Sequence, residues 1–216
     1  MNQRDYPVIA REGWTHVTLV LFASLAATYF FGLASFPVWL LAVFVIQFFR
    51  DPRRIITVEK GAIVSPASGK IVSICETVNP YRDGDSVFMI SVFMNIFSVH
   101  SNLIPVAGKV VDYWYCPGHY VNASLDKSSQ ENERAALHIR TNDKHDVFCV
   151  QIAGLIARRI VCHVKPGDLV RIGQRYGFIR FGSRVDLYIP KTSSIMVKLG
   201  QKVHSGNDII GFLPVK

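Results

Sequence analysis

The chain opens with two long apolar runs and then changes to short ones that alternate with polar residues. The apolar runs span residues 14–31 and 36–49, and Gly32 and a proline step at 35–37 separate them. A membrane-spanning helix needs about 20 apolar residues, so the first run is borderline and the second is short. We predict a helical hairpin that crosses the bilayer or dips into one leaflet. A buried helix pair in a soluble core is the alternative.

Positive charge flanks the predicted hairpin on both sides. Arg11 precedes it, and Arg50, Arg53 and Arg54 follow it. Because basic residues are retained on the cytoplasmic side of a membrane, both ends are expected in the cytoplasm. No small-residue cleavage site flanks either run, which argues against a plain signal peptide. Residues 1–54 are therefore predicted to associate with the cytoplasmic face of the cell membrane.

From residue 55 onward the pattern is that of a β protein. Short runs rich in Val, Ile, Phe and Tyr are separated by Gly and Pro, as in strands joined by turns. Candidate strands lie at 63–64, 70–75, 86–93, 108–115, 135–140, 147–152, 158–164, 175–180 and 185–189. The polar segment 122–134 lacks this pattern and is predicted to be a mobile loop at the mouth of a site.

Two segments of the β region recur. Residues 66–72 resemble residues 105–111, and residues 167–178 resemble residues 200–212. Repeated hairpins that fold onto one another build a flattened β-sandwich, like that of biotinyl and lipoyl carrier domains. The predicted fold of residues 55–216 is therefore mainly β and barrel-sandwich-like. The alternative is chance similarity between common turn sequences.

Charge and composition narrow the class of partner. The net charge is +8, half of the residues are hydrophobic (50%), and the mean hydropathy is +0.24. A basic surface suits nucleic acid or an anionic membrane, but no clustered basic helix or nucleic-acid motif is present in the sequence. We expect a membrane and no nucleic acid. The four cysteines lack C-x-x-C and zinc spacings, so reduced thiols and no metal site are expected.

A Gly-Ser pair, Gly182-Ser183, joins two β-rich runs, and a tight turn is the simplest interpretation. Self-cleavage is the second. Glycine permits a close approach to its carbonyl group, which the Ser183 hydroxyl could attack. The peptide would become an ester. β-Elimination and hydrolysis would then cut the chain and leave a pyruvoyl group at residue 183.

Further motifs accompany this pair in order along nearly the whole chain. Around the pair stands Phe181-Gly182-Ser183-Arg184-Val185-Asp186, followed by Tyr188 and Pro190. The others lie at 10–14, 48–52, 93–95, 99–100, 105–110, 132–135 and 151–162. Together they resemble the short bacterial and archaeal phosphatidylserine decarboxylases.

The resemblance implies an enzyme that converts phosphatidylserine to phosphatidylethanolamine and CO₂. It implies cleavage of the precursor into a large chain, 1–182, and a small chain, 183–216, which remain partners. The pyruvoyl group from Ser183 would be the covalent cofactor and electron sink, with no diffusible cofactor. The substrate would lie in an anionic membrane. Homo-oligomerisation stays open.

The resemblance also assigns catalytic residues. Ser183 at its ordinary pKa is a poor nucleophile, and His100 is the implied base. The family has an acid in a Pro-Ala-Asp-Gly motif, where this chain has Ser68. A serine cannot stabilise a histidinium by charge, so slow or absent processing is expected, with Asp112 and Asp186 as candidate substitutes.

Several polar side chains are candidate substrate ligands. His119 lies in a predicted loop, and the cationic candidates for phosphate or carboxylate are Arg158, Arg159, Arg180 and Arg184. Solvated charges at strand ends are the alternative interpretation of these arginines.

Two other functions remain open on sequence grounds. Met196-Val197-Lys198-Leu199 partly resembles the lysine turn of carrier domains, although the lysine is displaced by one residue. A membrane-tethered adaptor without chemistry is the other alternative.

Overall fold

The computed structural model describes residues 7–56, 59–82, 84–119, 123, 131–154, 160–180 and 182–214. The chain forms two compact units, the first ending at Arg53 and the second beginning at Arg54. The first unit is helical and the second is built from strands.

The first unit contains two apolar helices. Helix α1 spans Trp14–Phe31 and helix α2 spans Phe36–Phe48, and a 3₁₀ turn at Gly32–Ser35 joins them. Gly32 has a φ of 55°, in the left-handed region that favours glycine and ends helices. The break predicted between the two runs is therefore a glycine helix end followed by a tight turn.

Contacts between α1 and α2 show that the helices fold back on each other. The indole N–H of Trp39 donates to Thr28 Oγ1 at 3.0 Å. At the open end, the Ala10 N–H donates to the Phe49 carbonyl at 2.8 Å. The predicted helical hairpin is confirmed.

The hairpin leaves most of its large apolar side chains exposed. The exposed side chains include Leu19, Phe22, Leu25, Tyr29, Phe30, Phe31, Leu33, Phe36, Leu40 and Leu41. The segment Arg11–Phe48 is long and apolar enough to cross a membrane. A contiguous apolar surface of this kind is rare on soluble proteins, so the hairpin fits membrane association and not the buried helix pair.

The described residues of the second unit contain fourteen strands. They are β1 Ala62–Val64, β2 Gly69–Val78, β3 Ser86–Met94, β4 Ser101–Leu103, β5 Gly108–Cys116, β6 Arg134–Arg140, β7 Asp146–Ile152, β8 Ile160–Cys162, β9 Leu169–Val170, β10 Arg175–Ile179, β11 Ser183–Pro190, β12 Ser194–Ile195, β13 Lys202–Val203 and β14 Ile209–Phe212. One sheet has eight strands in the order β13-β2-β3-β11-β7-β6-β5-β9, and two smaller sheets run β1-β14-β12 and β4-β10-β8. The predicted mainly β fold is confirmed.

The recurring sequence segments occupy equivalent places in these sheets. Gly69 and Lys70 of β2 pair with β13, and Gly108 and Lys109 of β5 pair with β9 in the same way. Strands β2 and β5 are each second from an edge of the large sheet, and the two small sheets have matching strand orders. The second unit is thus two similar halves interleaved in sequence, as the repeated hairpins predicted.

Strand β11 lies in the middle of the large sheet, between β3 and β7. Its side chains alternate between two cores, because successive residues of a strand point to opposite faces. Val185, Leu187 and Ile189 belong to the main core. Tyr188 belongs to a second cluster with Phe148. Strand β11 therefore separates two differently packed faces.

The predicted strands are all present, with ends shifted by a few residues. The exception in length is 158–164, whose described part is β8, Ile160–Cys162. Strands β4, β9, β12, β13 and β14 were not predicted, because runs of two to four residues carry too little periodicity. The predicted loop 122–134 lies mostly outside the described residues, and Arg134 belongs to β6 instead.

Candidate functional site

The Gly-Ser pair lies where the central strand begins. Ser183 is the first residue of β11, and its Cα lies opposite Met94, the last residue of β3. Gly182 has a φ of 58°, a conformation that favours glycine. Ser183 is 0% exposed, and its Oγ has no hydrogen-bond partner among the described residues. An unsatisfied buried hydroxyl costs free energy, so the position is typical of a functional group.

Gly154 lies against the carbonyl group of Gly182. A Cβ on Gly154 would stand 1.5 Å from the Gly182 oxygen, so a residue larger than glycine cannot fit without displacement. The neighbouring backbone is held in place, since the Ala153 N–H donates to the Glu133 carbonyl at 2.9 Å. The Asn132 side-chain amide donates to the Ala153 carbonyl at 2.6 Å. One side of the Gly182 carbonyl is therefore a fixed backbone wall.

His100 is buried in the same region. Its side chain is 0% exposed, and its ring centroid lies 6.3 Å from that of Phe178. Its backbone carbonyl accepts a hydrogen bond from the Ile179 N–H at 3.3 Å. Because β10 leads through Arg180 toward the Gly182-Ser183 pair, this bond ties the backbone of His100 to the strand that precedes the pair.

Ser68 belongs to a network of hydrogen-bond donors. The Ser205 N–H donates to Ser68 Oγ at 2.9 Å, and the two hydroxyl oxygens are 3.0 Å apart. Arg54 donates from Nε to Ser205 Oγ at 2.9 Å and from Nη2 to Ser101 Oγ at 2.9 Å. Since Ser101 follows His100, the network leads from Ser68 to the backbone beside the histidine. Its donors and its guanidinium would favour an anionic side chain at position 68.

Arg184 and Asp186 form a buried ion pair on the opposite face of β11 from Ser183. Arg184 Nε lies 2.8 Å from Asp186 Oδ1, and Nη2 donates to Oδ2 at 3.0 Å. Arg184 Nη1 also donates to the Ala123 carbonyl at 3.3 Å. The guanidinium of Arg184 is fully buried and paired with Asp186, and its role as a ligand of phosphate or carboxylate stays a prediction.

The structure supports neither of the predicted substitute acids. Asp186 points to the opposite face from Ser183, because the two positions are three apart on the strand and successive side chains alternate between faces. Asp112 is exposed on β5, opposite His138, and β7 and β6 separate β5 from β11.

The remaining predicted ligands differ in how the structure places them. Arg180 directly follows β10, and its Nε is buried with no hydrogen-bond acceptor in the described part of the chain. His119 is exposed, and its backbone bridges to Asn132, beside the wall at Gly154. Arg158 and Arg159 lie outside the described residues. Arg180 is thus the best-placed cation.

Two buried amides near Ser183 were missed in the sequence. Gln151 Nε2 donates to Asn102 Oδ1 at 2.8 Å, and Asn102 Nδ2 lies 3.8 Å from the sulfur of Met94. Met94 is the residue opposite Ser183, so this pair lines the same side of the sheet. Polar residues at inward strand positions were the available signal, because a buried amide needs a partner or a role.

The buried thiol of Cys149 does not resemble a nucleophile. Burial raises its pKa to about 12, and its sulfur lies 3.0 Å from the Tyr176 hydroxyl. Within the described ranges, no group of His, Cys, Asp and Glu side chains could hold a metal ion. The chemistry of the described site therefore centres on the serine.

Known proteins resemble this chain over almost its full length. The phosphatidylserine decarboxylase family profile matches residues 41–211. The phosphatidylserine decarboxylase proenzyme of Aromatoleum aromaticum is 54% identical over 217 residues, 99% of each chain. Those of Nitrosomonas eutropha and Burkholderia pseudomallei are 50% identical over 206 residues and 51% identical over 211, covering 95% and 97% of each chain. With a Gly-Ser pair whose buried serine begins the central strand, the chain belongs to the phosphatidylserine decarboxylase family, in its short bacterial form.

Proposed function

We propose that this protein cuts itself between Gly182 and Ser183 and decarboxylates phosphatidylserine at the pyruvoyl group that forms. The observation that carries the proposal is the Ser183 hydroxyl, which is buried and has no hydrogen-bond partner among the described residues. It directly follows a glycine whose carbonyl lies against a backbone wall. A nucleophile beside a fixed carbonyl is the arrangement that intramolecular attack requires.

The cleavage reaction uses groups of this chain. Ser183 Oγ attacks the carbonyl carbon of Gly182, the C–N bond breaks, and the peptide becomes an ester. His100 is the proposed base: it takes the hydroxyl proton and delivers it to the Ser183 nitrogen as the C–N bond breaks. β-Elimination then leaves a carboxylate on Gly182 and a dehydroalanine at residue 183. Hydrolysis releases ammonia and leaves the pyruvoyl group at the start of the small chain, 183–216.

The residues around position 183 fit a pyruvoyl group. It is no larger than the serine it replaces, Met94 lies opposite position 183 in the sheet, and Gly154 lies against the Gly182 carbonyl. The group supplies the electron sink for the electrons that CO₂ leaves behind. The buried amides Asn102 and Gln151 supply polar atoms on the same side of the sheet. Members of the family carry this group, derived from serine.

Substrate binding is assigned to the cations near the site. Arg180 is the proposed ligand of the head-group phosphate or carboxylate, because its buried Nε lacks an acceptor among the described residues. His119 is a further candidate from the exposed segment beside Asn132. Arg158 and Arg159 keep the same proposed role on sequence grounds alone. The substrate stays in an anionic membrane, at the cytoplasmic face if the flanking arginines orient the hairpin.

Processing of this chain is proposed to be slow because Ser68 stands where the family has an acid. The surrounding donors, Ser205 and Arg54, would stabilise a carboxylate, whereas the hydroxyl brings no charge to the site. The family assignment disfavours the carrier and adaptor alternatives, although Lys198 is exposed.

Intact-mass spectrometry of the purified protein tests the proposal. The expected products are two chains, 1–182 and 183–216, with no free amine on the smaller one, and uncut precursor should remain beside them because processing is slow. If the parent is uncut, the same test is made in the Ser68→Asp background. Ser183→Ala should give one intact, inactive chain, whereas the control Ser194→Ala should be processed like its parent. Cleavage or decarboxylation by Ser183→Ala would contradict the proposal.

A further inference from the structure

The turn between β3 and His100 presents two apolar side chains to solvent. Ile96 is 37% exposed and Phe97 is 61% exposed. Both lie in the turn at residues 95–98. Single exposed apolar residues are common, but two adjacent ones beside a reactive site form a local apolar surface.

The turn is held by its own polar groups. Asn95 Oδ1 accepts hydrogen bonds from the Phe97 N–H at 2.9 Å and from Ser98 Oγ at 3.2 Å. The Ser98 N–H donates to the Asn95 carbonyl at 3.0 Å. These bonds fix the backbone of the turn, so it can hold the exposed parts of Ile96 and Phe97 toward solvent.

The turn connects the end of β3, which lies opposite Ser183, to His100, the proposed base. It leaves β3 at Met94, whose Cα lies opposite Ser183, and it leads through Val99 to the buried His100. Ile96 and Phe97 therefore lie a few residues along the chain from Met94, which is opposite the pyruvoyl position, and from His100, the proposed base. The inference rests on the proposed function for the place of the reaction.

We propose that this turn inserts into the bilayer beside the site, as a membrane contact in addition to the N-terminal hairpin. The argument for a lipid occupant is the substrate. Its acyl chains stay in the membrane, while its head group must reach a residue that is 0% exposed. An apolar tip at this place lets the mouth of the site meet the bilayer, and the net charge of +8 favours an anionic surface.

A fluorescence experiment on the full chain tests the insertion without any activity. Tryptophan is introduced by Phe97→Trp in the uncleavable Ser183→Ala chain. The control is Leu169→Trp, at a residue 80% exposed on the edge strand β9. The chain is bound to phosphatidylglycerol–phosphatidylethanolamine vesicles with brominated acyl chains, and the emission of the Ser183→Ala chain is subtracted.

Brominated chains should quench the added emission at position 97 and leave that at position 169 unchanged. Equal, weak quenching at both positions overturns the inference and would fit a protein partner at the turn. Because this chain is uncut, the result does not depend on whether the proposed function is correct.

Kinetics of a processed chain give the second test. Ile96→Asp with Phe97→Asp should raise the KM for phosphatidylserine in vesicles about tenfold, since two insertion side chains are lost. The kcat on a soluble short-chain phosphatidylserine should not change, and Leu169→Asp should change neither constant. Unchanged vesicle KM, or an equal loss on both substrates, contradicts the inference, because the latter means that the turn acts through His100.

Discussion

At the scale of single residues, the reactive position combines burial with missing hydrogen bonds. A buried hydroxyl without a partner costs about 1–3 kcal/mol, and Ser183 is such a group within the described structure. Gly182 adds a backbone conformation with φ 58°. Groups held in this way are free to react, because no competing hydrogen bond must break first.

Gly154→Ala should block processing. The added Cβ would stand 1.5 Å from the Gly182 oxygen, so the segment before Ser183 must move away from its present position. We expect a stability loss of about 2–4 kcal/mol from this overpacking. Intact-mass spectrometry measures cleavage, and thermal unfolding measures the change in stability.

Gly84→Ala is the matched control for Gly154→Ala. Gly84 has a φ of 80° and nothing within 4 Å of the added Cβ, so the change costs about 1 kcal/mol of strain away from the site. Normal cleavage of Gly154→Ala would show that the wall does not position the carbonyl.

Ser68→Asp should increase processing. The new carboxylate accepts hydrogen bonds from Ser205 and lies close to the Arg54 guanidinium, and it stabilises the positive charge that His100 gains. Loss of the acid from a catalytic triad can lower a rate by about 10⁴, so the gain should be large. Two fragments on a gel are the expected result.

Two variants make the Ser68→Asp result specific. Adding His100→Ala should abolish the gain, and Ser68→Ala should not produce it. A folded Ser68→Asp chain that stays intact would place the acid of this reaction elsewhere.

The resemblance to the family points to Gly182, Ser183 and His100, whose catalytic roles stay predictions, because a Gly-Ser pair or a single histidine alone is too common to identify a site. Local sequence could not predict the Arg54–Ser205–Ser68 network. Arg54 and Ser205 lie at opposite ends of the second unit in sequence, and only the folded sheets bring their side chains together. The role of Gly154 was missed for the same reason, since its neighbour is Gly182.

At the scale of elements, β11 carries different chemistry on its two faces. Ser183 faces one side, whereas Arg184 and Asp186 form a buried pair on the other. Burying two charges costs free energy that their attraction and hydrogen bonds must offset. Loss of one partner is therefore more damaging than replacement of both.

Asp186→Asn should destabilise the fold by about 3–5 kcal/mol, because it leaves Arg184 buried without its counter-charge. The double change Arg184→Met with Asp186→Leu should be more stable than Asp186→Asn. Urea unfolding measures the free energy of unfolding of each variant, with both made in the uncleaved Ser183→Ala chain. If the Ser183→Ala parent, Asp186→Asn and the double variant have equal free energies of unfolding, the Arg184–Asp186 pair contributes nothing to stability.

Asp146, the first residue of β7, forms ion pairs with His138, Arg140 and Arg82. Partial burial alone would raise the pKa of Asp146, but hydrogen bonds from Arg140 and His138 lower it below its ordinary value. A lowered carboxyl pKa stabilises the fold above the ordinary value near 4. This contribution is lost as the pH falls through the folded pKa.

Asp146→Asn should therefore lower the free energy of unfolding by about 1–2 kcal/mol at pH 7. The difference from the parent should close as the pH falls below about 4. Urea unfolding across pH measures it, with the exposed Asp143→Asn as control. A difference that stays constant with pH would show that the charge of Asp146 is not responsible.

Alternation of apolar and polar residues could predict the longer strands, but not their partners. β9 and β13 have two residues each and exist because they pair with β5 and β2. Their place could be predicted only through the repeat, since the segments containing them resemble each other. Pairing across the sheet, not local propensity, creates such strands.

At the scale of the whole molecule, the chain forms two compact units, one helical and apolar and one built from strands. The hairpin exposes apolar side chains along both helices, while the β unit has its own core. Ile56, near the start of that unit, would touch a Cβ at both Gly173 and Gly206, which are equivalent positions of the two halves. The β unit therefore has its own hydrophobic core and its own packing around Ile56, as expected of a unit that folds by itself.

Deletion of residues 1–50 should move the protein from the membrane fraction to the soluble fraction, because the hairpin carries the largest apolar surface. Sedimentation with vesicles at high salt measures the change. High salt screens the basic surface, so charge alone does not hold the truncated chain. If the truncated chain still sediments, the hairpin is not the main anchor.

The central place of β11 has a consequence for the molecularity of folding. The proposed cleavage before Ser183 would assign β11 to the small chain, whereas its neighbours β3 and β7 would remain in the large chain. Strands β13 and β14 likewise pair with β2 and β1 of the large chain. The precursor unfolds as one molecule, whereas the mature enzyme unfolds into two. Its unfolding midpoint therefore rises with protein concentration, and its refolding is second order. The proposed self-cleavage would thus turn a fold that one chain can regain alone into one that persists through slow unfolding.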